Sequence, residues 1–526
     1  MIICGPFHSV CNPPVGMAYL KSYLQASGIA CSLHDLNILS RRFLLDAAFA
    51  PGFIDRMYSQ SSRTYLAEAV VWSWHEPDGP SALIHRTVAS GSEALIRFWQ
   101  EERLEDLTRD PEVVRFSEVL RAWLDEQVDR LMAEVQRWAG FSTTITNLPV
   151  NLYMAKRFKA HDPGLLVIMG GPEVTHRNAK EMLDSFPYLD AVIPPPAFEP
   201  LATLLKNPEA LRDGPVPTGV WCRDGEGIVR PAIKQAEPFL DGLPYADWDG
   251  IDLGAYDPGF IVKDLVSVDP YYPVVPLHTS QGCSYNQCDF CYNIALYPHY
   301  ASQSSERVLA EIRHQIEAVG SRGFFFTDFE FNGSVNRLMD ICRLIQETFA
   351  DPIRFYVWLR IDKINRFMLE AIHDAGCQQV FIGLEAVDDH ILRLMNKGYN
   401  SALALKKLEL LNDFQMETPL FHYEFNLIKL YPGETLASVK NTLATVAENY
   451  PLFYKKVTAV VPFMLHEGTP AFLGINSKVT GCMSSIFPPG VTLRSYRYVI
   501  DAPDDATLAD REELWDAVNA LASRVS

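Results

Sequence analysis

The stretch 279-TSQGCSYNQCDFCYN-293 sets Cys283, Cys288 and Cys291 on the pattern C-x4-C-x2-C, three thiols within nine residues of a chain that has ten cysteines in all. Thiolates hold iron–sulfur clusters, and a four-iron cluster offers four irons for ligation. Three cysteines leave one iron open to a substrate or cofactor. Zinc is the competing chemistry, and a structural zinc site needs a fourth ligand that His278 or His299 would have to supply. The plain alternative is three unrelated buried thiols, which such close spacing just beyond an expected strand disfavours.

Thiols in a loop need elements to hold them. From Pro273 onward, expected strands at 274–280, 323–328, 354–360, 379–385, 420–427 and 457–463 alternate with expected helices at 304–319, 333–349, 365–374, 401–413 and 434–448. That alternation predicts a parallel sheet curved into a partial barrel. Asp328, Glu330, Arg360 and Glu385 then fall at the C-terminal ends of strands, the end where a parallel barrel builds its site. Ordinary salt-bridge partners at strand ends are the alternative for each of them.

The first half of the chain opens as strand, loop, helix, strand: 1-MIICG-5, a break at Gly5-Pro6, 13-PPVGMAYLKSYLQASG-28 and 29-IACSLHDLN-37. This is the start of a parallel α/β sheet. Residues 42–139 change to helical spacing and read as an insertion. Asp110 is a cap, Pro111 takes the first helical position, and Phe116, Leu120, Trp123, Leu124, Val128, Leu131, Val135 and Trp138 form the apolar stripe. Strands are expected again at 141–149, 164–172 and 189–193, with a helix over 150–160. Residues 207–262, rich in Pro, Gly and Asp, read as a connector. The expected domains are therefore 1–206, the connector, a barrel at 263–470 and a C-terminal extension at 471–526.

Composition bounds the function. A chain of 526 residues with 48% apolar and 21% charged residues is globular, and a formal charge of −19 argues against a nucleic-acid surface. No apolar run approaches a membrane span and no basic segment precedes the first apolar run, so a cytoplasmic protein with reduced cysteines is expected.

The cysteine segment resembles the cluster loop of the radical S-adenosylmethionine (SAM) enzymes, with Phe290 before the third cysteine and 279-TSQGC-283 around the first. The usual spacing there is C-x3-C-x2-C, and Ser284 to Gln287 make four residues here. The resemblance continues through 323-GFFFTDFEFN-332, 358-WLRID-362, 381-FIGLEAVDDHILRLMNKG-398, 431-YPGET-435 and 462-PFMLHEGTP-470, which look like strand ends of the superfamily's cobalamin-associated and methylthiotransferase-like branch. It implies a [4Fe-4S] cluster on Cys283, Cys288 and Cys291, with SAM chelated at the open iron. Asp328, Glu330 or Glu385 would accept bonds from the SAM ammonium or ribose, and Arg360 would pair with its carboxylate. Tyr292 would pack on the adenine or fill the loop. An electron donor such as flavodoxin or ferredoxin is implied as a partner.

The first domain resembles the Rossmann-like cobalamin-binding domain that precedes the barrel in one radical SAM class, through 13-PPVGMAYLKSYL-24, 33-LHDLN-37, the Ser142-Thr143-Thr144 turn and the Gly170-Gly171 pair. Ser142, Thr144, Gly170 and Gly171 are small enough to let a flat macrocycle approach the backbone. The Asp-x-His-x-x-Gly signature that ligates cobalt is absent, and 194-PPPAFEP-200 stands where relatives often carry Gly-Glu-Gly-Glu. Cobalt is therefore expected to lack a protein histidine, His8 included. A doubly wound domain with no ligand is the alternative.

The fold expected is thus a Rossmann-like domain with a helical insertion, followed by a partial (β/α)6 radical SAM barrel. The function implied is a cobalamin-dependent radical SAM enzyme methylating an unactivated carbon of a natural-product or peptide substrate. A cyclase or rearrangement enzyme using cobalamin otherwise, or not at all, is the second reading. A non-catalytic iron–sulfur or zinc binding protein is the third.

Overall fold

The computed structural model describes residues 1–9, 11–58, 70–71, 74–75, 110–135, 137–144, 146–176, 178–213, 216–224, 227–229, 240–257, 271–429, 431–465, 469–471, 498–499, 516–517 and 520. They fall in two compact units, one built on Met1–Phe260 and the other on Ile261–Cys482. Among the described residues no helix is long and apolar enough to cross a membrane.

The first unit is built on strands β1 (Ile2–Cys4), β2 (Leu33–Asp35), β3 (Trp138–Ser142), β4 (Leu166–Gly170), β5 (Ala191–Ile193), β6 (Trp221–Asp224) and β7 (Gly227–Val229). Its helices are α1 (Val15–Ala26), α2 (Leu36–Asp46), α3 (Pro51–Tyr58), α4 (Pro111–Glu134), α5 (Leu148–His161), α6 (Ala179–Ser185), α7 (Phe198–Lys206) and α8 (Ala210–Asp213). The strands lie in the order β2-β1-β3-β4-β5-β6-β7, the first five parallel. The chain leaves β1 toward one edge and returns at β3 toward the other, so the gap between β1 and β3 is the topological switch point of a doubly wound sheet.

Several sequence expectations change here, among them the strand expected at 141–149, which ends at Ser142 as β3, with α5 already begun at Leu148. The strand expected at 29–37 shortens to β2, because Asp35 turns to cap α2 by accepting bonds from the amides of Asn37 and Ile38. The helix of the insertion is capped by Asp110 with Pro111 following, as its sequence requires, and buries Phe116, Leu120, Leu124, Val128 and Leu131. It ends at Glu134 instead of continuing to Trp138, which pairs with Leu166 as the first residue of β3. The spacing 131, 135, 138 fits a helix, but sheet pairing wins. The insertion's other bound also shifts, since α2 runs across residue 42; residues 59–69, 72–73 and 76–109 lie outside the described residues. Finally, part of the stretch read as a connector supplies β6 and β7, an antiparallel hairpin added to the edge of the sheet.

The second unit alternates β8 (Val275–Leu277), β9 (Ser280–Gln281), α9 (Asn293–Leu296), β10 (Ala301–Ser302), α10 (Ser305–Val319), β11 (Gly323–Phe326), α11 (Val335–Thr348), β12 (Arg354–Leu359), α12 (Arg366–Asp374), β13 (Cys377–Glu385), α13 (Asp389–Leu394), α14 (Ser401–Glu417), β14 (His422–Lys429), α15 (Leu436–Glu448) and β15 (Val457–Pro462). Six strands pair parallel in the order β15-β14-β13-β12-β11-β8. Every crossover steps the same way, which puts the helices on one face, the topology of a barrel wall. The helices bury their apolar stripes, as α12 does with Met368, Leu369 and Ile372. On the opposite face Phe325, Tyr356 and Phe381 pack together, with Phe325 and Tyr356 stacked at 4.5 Å. Because the strands are parallel, all their C-terminal ends meet at one rim. A short ribbon follows, β16 (Met464–Leu465) pairing with β17 (Tyr498–Val499) from the C-terminal stretch.

Candidate functional site

The cysteine loop rises from that rim on a narrow neck. Strands β9 and β10 pair antiparallel at its base, Gln281 opposite Ala301 and Ser280 opposite Ser302. Gly282 follows with φ +74°, and a Cβ there would sit 2.4 Å from the His299 carbonyl oxygen, so the neck demands glycine. Asp328, wholly buried just past β11, accepts bonds from the Thr279 amide at 2.8 Å, the Thr279 hydroxyl at 2.6 Å and the Ser280 amide at 2.9 Å. Arg337 on α11 completes the anchor by donating to the Thr279 and Gln303 carbonyls. Asp328 was expected to face SAM; its geometry makes it the peg that holds the loop.

The added residue of the C-x4-C spacing is accommodated without disturbing the neck. Asn286 takes a left-handed conformation, φ 47°, and its side-chain amide donates to the Pro298 carbonyl at 2.6 Å. The widened segment then rests on the turn 395–398 between α13 and α14. The Tyr285 hydroxyl donates to the Asn396 carbonyl at 2.9 Å, the Asn396 side chain to the Gln287 carbonyl at 2.8 Å, and the Asp289 amide to the Met395 carbonyl at 3.0 Å.

Charged side chains surround the thiols. Glu330, also wholly buried, accepts from the Ser284 amide at 2.7 Å and the Cys283 thiol at 3.1 Å, and pairs with Lys363 at 2.6 Å. Burial alone would push its carboxyl up, but Lys363 and then the Cys283 thiol hold it below its ordinary value. Arg360, just past β12, pairs two-pronged with Asp362 at 3.1 and 3.2 Å, lies 4.1 Å over the Tyr285 ring and reaches Cys288 Sγ with Nη1 at 3.9 Å. Glu385 ends β13 in a left-handed conformation, φ 67°, after a register shift. A non-glycine residue held there stores strain, which concentrates at functional sites. Its partner is Lys397, at 3.4 Å.

All three thiols are free, with Cys288 buried and the other two partly so. Burial pushes each thiol up, Cys291 to about 11, while Lys397 and then Arg360 pull Cys288 back. Thiols on one pinned loop, beside cations and with no disulfide, suit a thiolate-ligated cluster. Among the described residues no three His, Cys, Asp or Glu side chains converge as the ligand set of a single metal ion. Tyr292 sits partly buried at the N-cap position of α9. The sequence alone does not mark Lys363 or Lys397. Lys397 lies in the quoted 381–398 stretch, flanked by Asn396 and Gly398, and nothing in its spacing separates a buried lysine from a solvated one.

In the first unit, Ser142 ends β3 and Thr144 follows it at the switch point. The Ser142 carbonyl accepts from the Asn151 side chain at 3.1 Å, the Thr144 amide donates to Asn147, and the Thr144 hydroxyl is buried without a hydrogen-bond partner. An orphaned hydroxyl at that edge fits a ligand's polar group. Gly170 and Gly171 have another reason to be glycine. A Cβ at Gly171, φ +103°, would lie 2.4 Å from the Thr143 amide nitrogen, and one at Gly170 would lie 3.2 Å from the Ile193 carbonyl oxygen. The room expected for a macrocycle at Gly171 is filled by the chain's own turn. Burial pushes the imidazole of His8, in the loop after β1, down to about 4.

Comparison with known proteins agrees with this geometry. Residues 277–446 match the radical SAM superfamily. An uncharacterised methyltransferase of Pyrococcus horikoshii is 25% identical over 332 residues, 62% of this chain and 66% of that protein, so the chain spans just under two thirds of this relative's length. The solved structure of the radical SAM methyltransferase TsrM from Kitasatospora setae, with cobalamin and a [4Fe-4S] cluster bound, matches with a TM-score of 0.63 at 16% identity, covering 100% of this chain and 89% of that one. The cobalamin-dependent SAM radical enzyme OxsB, solved with aqua-cobalamin and SAM, matches with a TM-score of 0.57 at 15% identity, covering 76% of this chain and 59% of that one. At such identities these structures speak to fold. Residues 277–446 therefore match the radical SAM superfamily, and the fold is similar to that of solved cobalamin-dependent radical SAM enzymes.

Proposed function

We propose that the protein is a cobalamin-dependent radical SAM methyltransferase acting on an unactivated carbon of a small-molecule or peptide substrate. The observation that carries the proposal is the pinned cysteine loop with Glu330, Arg360 and Lys397 gathered around it. When bound, SAM cleaved at the reduced cluster supplies a 5′-deoxyadenosyl radical that takes a hydrogen from carbon, and methylcobalamin supplies the methyl group. Cys283, Cys288 and Cys291 would hold the cluster. Glu330 keeps its charge through Lys363 and so offers a carboxylate beside Cys283 for an ammonium. Arg360, fixed by Asp362, presents Nη1 toward Cys288, where a ligand carboxylate would pair with it. Tyr292 and the strained Glu385 stand at the same rim for the nucleoside. Ser142 and Thr144, with Gly170 and Gly171 keeping their turn tight, would border the cobalamin. A flavodoxin or ferredoxin is the proposed electron donor.

A second reading, radical cyclisation or rearrangement with cobalamin used otherwise or not at all, is favoured by one observation. Gly170 and Gly171 pack on the chain itself instead of clearing space. Anaerobic reconstitution with SAM, with and without cobalamin, followed by mass analysis separates the two. The methyltransferase reading expects 5′-deoxyadenosine and S-adenosylhomocysteine together, the latter only with cobalamin. 5′-Deoxyadenosine alone under both conditions overturns it in favour of the second.

A further inference from the structure

Lys397 is a buried ammonium that the chemistry above leaves without a task. It is 4% exposed in the turn between α13 and α14. Its Nζ donates to the Gly383 carbonyl at 3.1 Å and approaches Glu385 Oε1 at 3.4 Å. Its other neighbours are ring faces, Phe290 and Tyr399, each with its centroid 5.6 Å from Nζ. Phe290 lies between the second and third cysteines. The Lys397 carbonyl accepts from Arg360 Nη2 at 3.1 Å, and the same guanidinium reaches Cys288 Sγ. Two cations therefore flank the Cys288 side of the loop.

They are not equivalent. Arg360 is matched by the two-pronged bond to Asp362, whereas Lys397 has one carboxylate at the outer edge of hydrogen-bond range. A buried cation so poorly matched is costly unless an anion faces it when the site is loaded. Three thiolates around a cluster carry that negative charge. Gly383 belongs to the same arrangement: a Cβ there would lie 3.0 Å from Glu385 Oε1 and 3.6 Å from Lys397 Nζ, so the glycine leaves room for the pair.

We infer that Lys397 is a positioning residue whose charge raises the reduction potential of the cluster held by Cys283, Cys288 and Cys291, an inference that rests on the cluster reading above. Reduction adds one electron from the donor to the cluster. An ammonium in a water-poor setting stabilises that added charge, and net charge is among the quantities that set such potentials. Glu385 opposes it, so the pair works as a cation tempered by an anion.

The test uses the full-length chain reconstituted anaerobically, with iron counted first and the potential then read by an EPR-monitored redox titration without SAM. Lys397→Met should keep its iron and lose at least tenfold in the reduction equilibrium, a fall of about 59 mV for a one-electron couple. Lys397→Arg should stay near wild type, and Glu385→Gln should move upward. If Lys397→Met keeps both iron and potential, the inference is overturned while the cluster stands. A wild type that binds no iron overturns the cluster reading and the inference with it. Should Lys397→Met fail to load, Glu385→Gln decides: an upward shift supports the inference, and no shift or a downward one overturns it.

Discussion

Replacing Cys283, Cys288 and Cys291 together by alanine should take the reconstituted chain from about four irons to none, with the fold retained. The fold survives because the loop's shape does not depend on the sulfurs. Its neck is set by the β9–β10 pairing, by Gly282 and by the bonds Asp328 accepts from Thr279 and Ser280. Its outer part rests on Met395 and Asn396 through main-chain and amide contacts. Only Cys288 is well buried, and trimming one small apolar group there costs roughly 1 kcal/mol. Iron analysis, visible absorbance and circular dichroism check the result together. A triple variant that keeps its iron and its visible absorbance contradicts the assignment.

Asp328→Ala should have the larger effect on stability and the same effect on iron, by a different route. The carboxylate has three donors from the loop neck, and Arg337 lies 3.9 Å away with its side chain only 8% exposed. Removing one partner of such a buried arrangement costs about 3–5 kcal/mol, because two amides and the Thr279 hydroxyl lose their acceptor and the guanidinium loses its nearby countercharge. The neck should loosen, the melting temperature should drop, and iron uptake should fail even though every cysteine is present. Glu330→Gln is the contrast, since it leaves the neck intact. Thermal unfolding of Asp328→Ala at the wild-type temperature with full iron uptake would show that the carboxylate is not the anchor.

Much of this arrangement is legible in the sequence, for reasons that differ by element. The six strands of the second unit are short apolar runs bounded by polar turns and separated by amphipathic helices, so period and length both report them. The cysteine triplet is legible because thiols at that spacing have few other uses. Trp138 misleads because its distance from Val135 and Leu131 fits a helix, and pairing with Leu166 decides otherwise. The hairpin β6–β7 is hidden in a Pro-, Gly- and Asp-rich stretch whose order comes from an existing sheet edge. Side-chain roles are harder still. Asp328 and Glu330 are two residues apart at one strand end, yet one pegs the loop and the other faces a thiol, a distinction set by Thr279, Ser280 and Lys363 from elsewhere in the chain. Lys397 becomes a buried cation only because the turn that carries it is covered by the cysteine loop.

On the reading proposed above, the rim of the second unit holds a four-iron cluster with one iron open to SAM. EPR of the reduced, reconstituted chain, recorded before and after SAM is added, tests it most directly. The expected result is a cluster signal whose g-values shift on adding SAM, and a shift that weakens in Arg360→Met while the iron content holds. A cluster signal that SAM leaves unchanged in the wild type would contradict an open iron, and the absence of any iron-dependent signal would contradict the site itself.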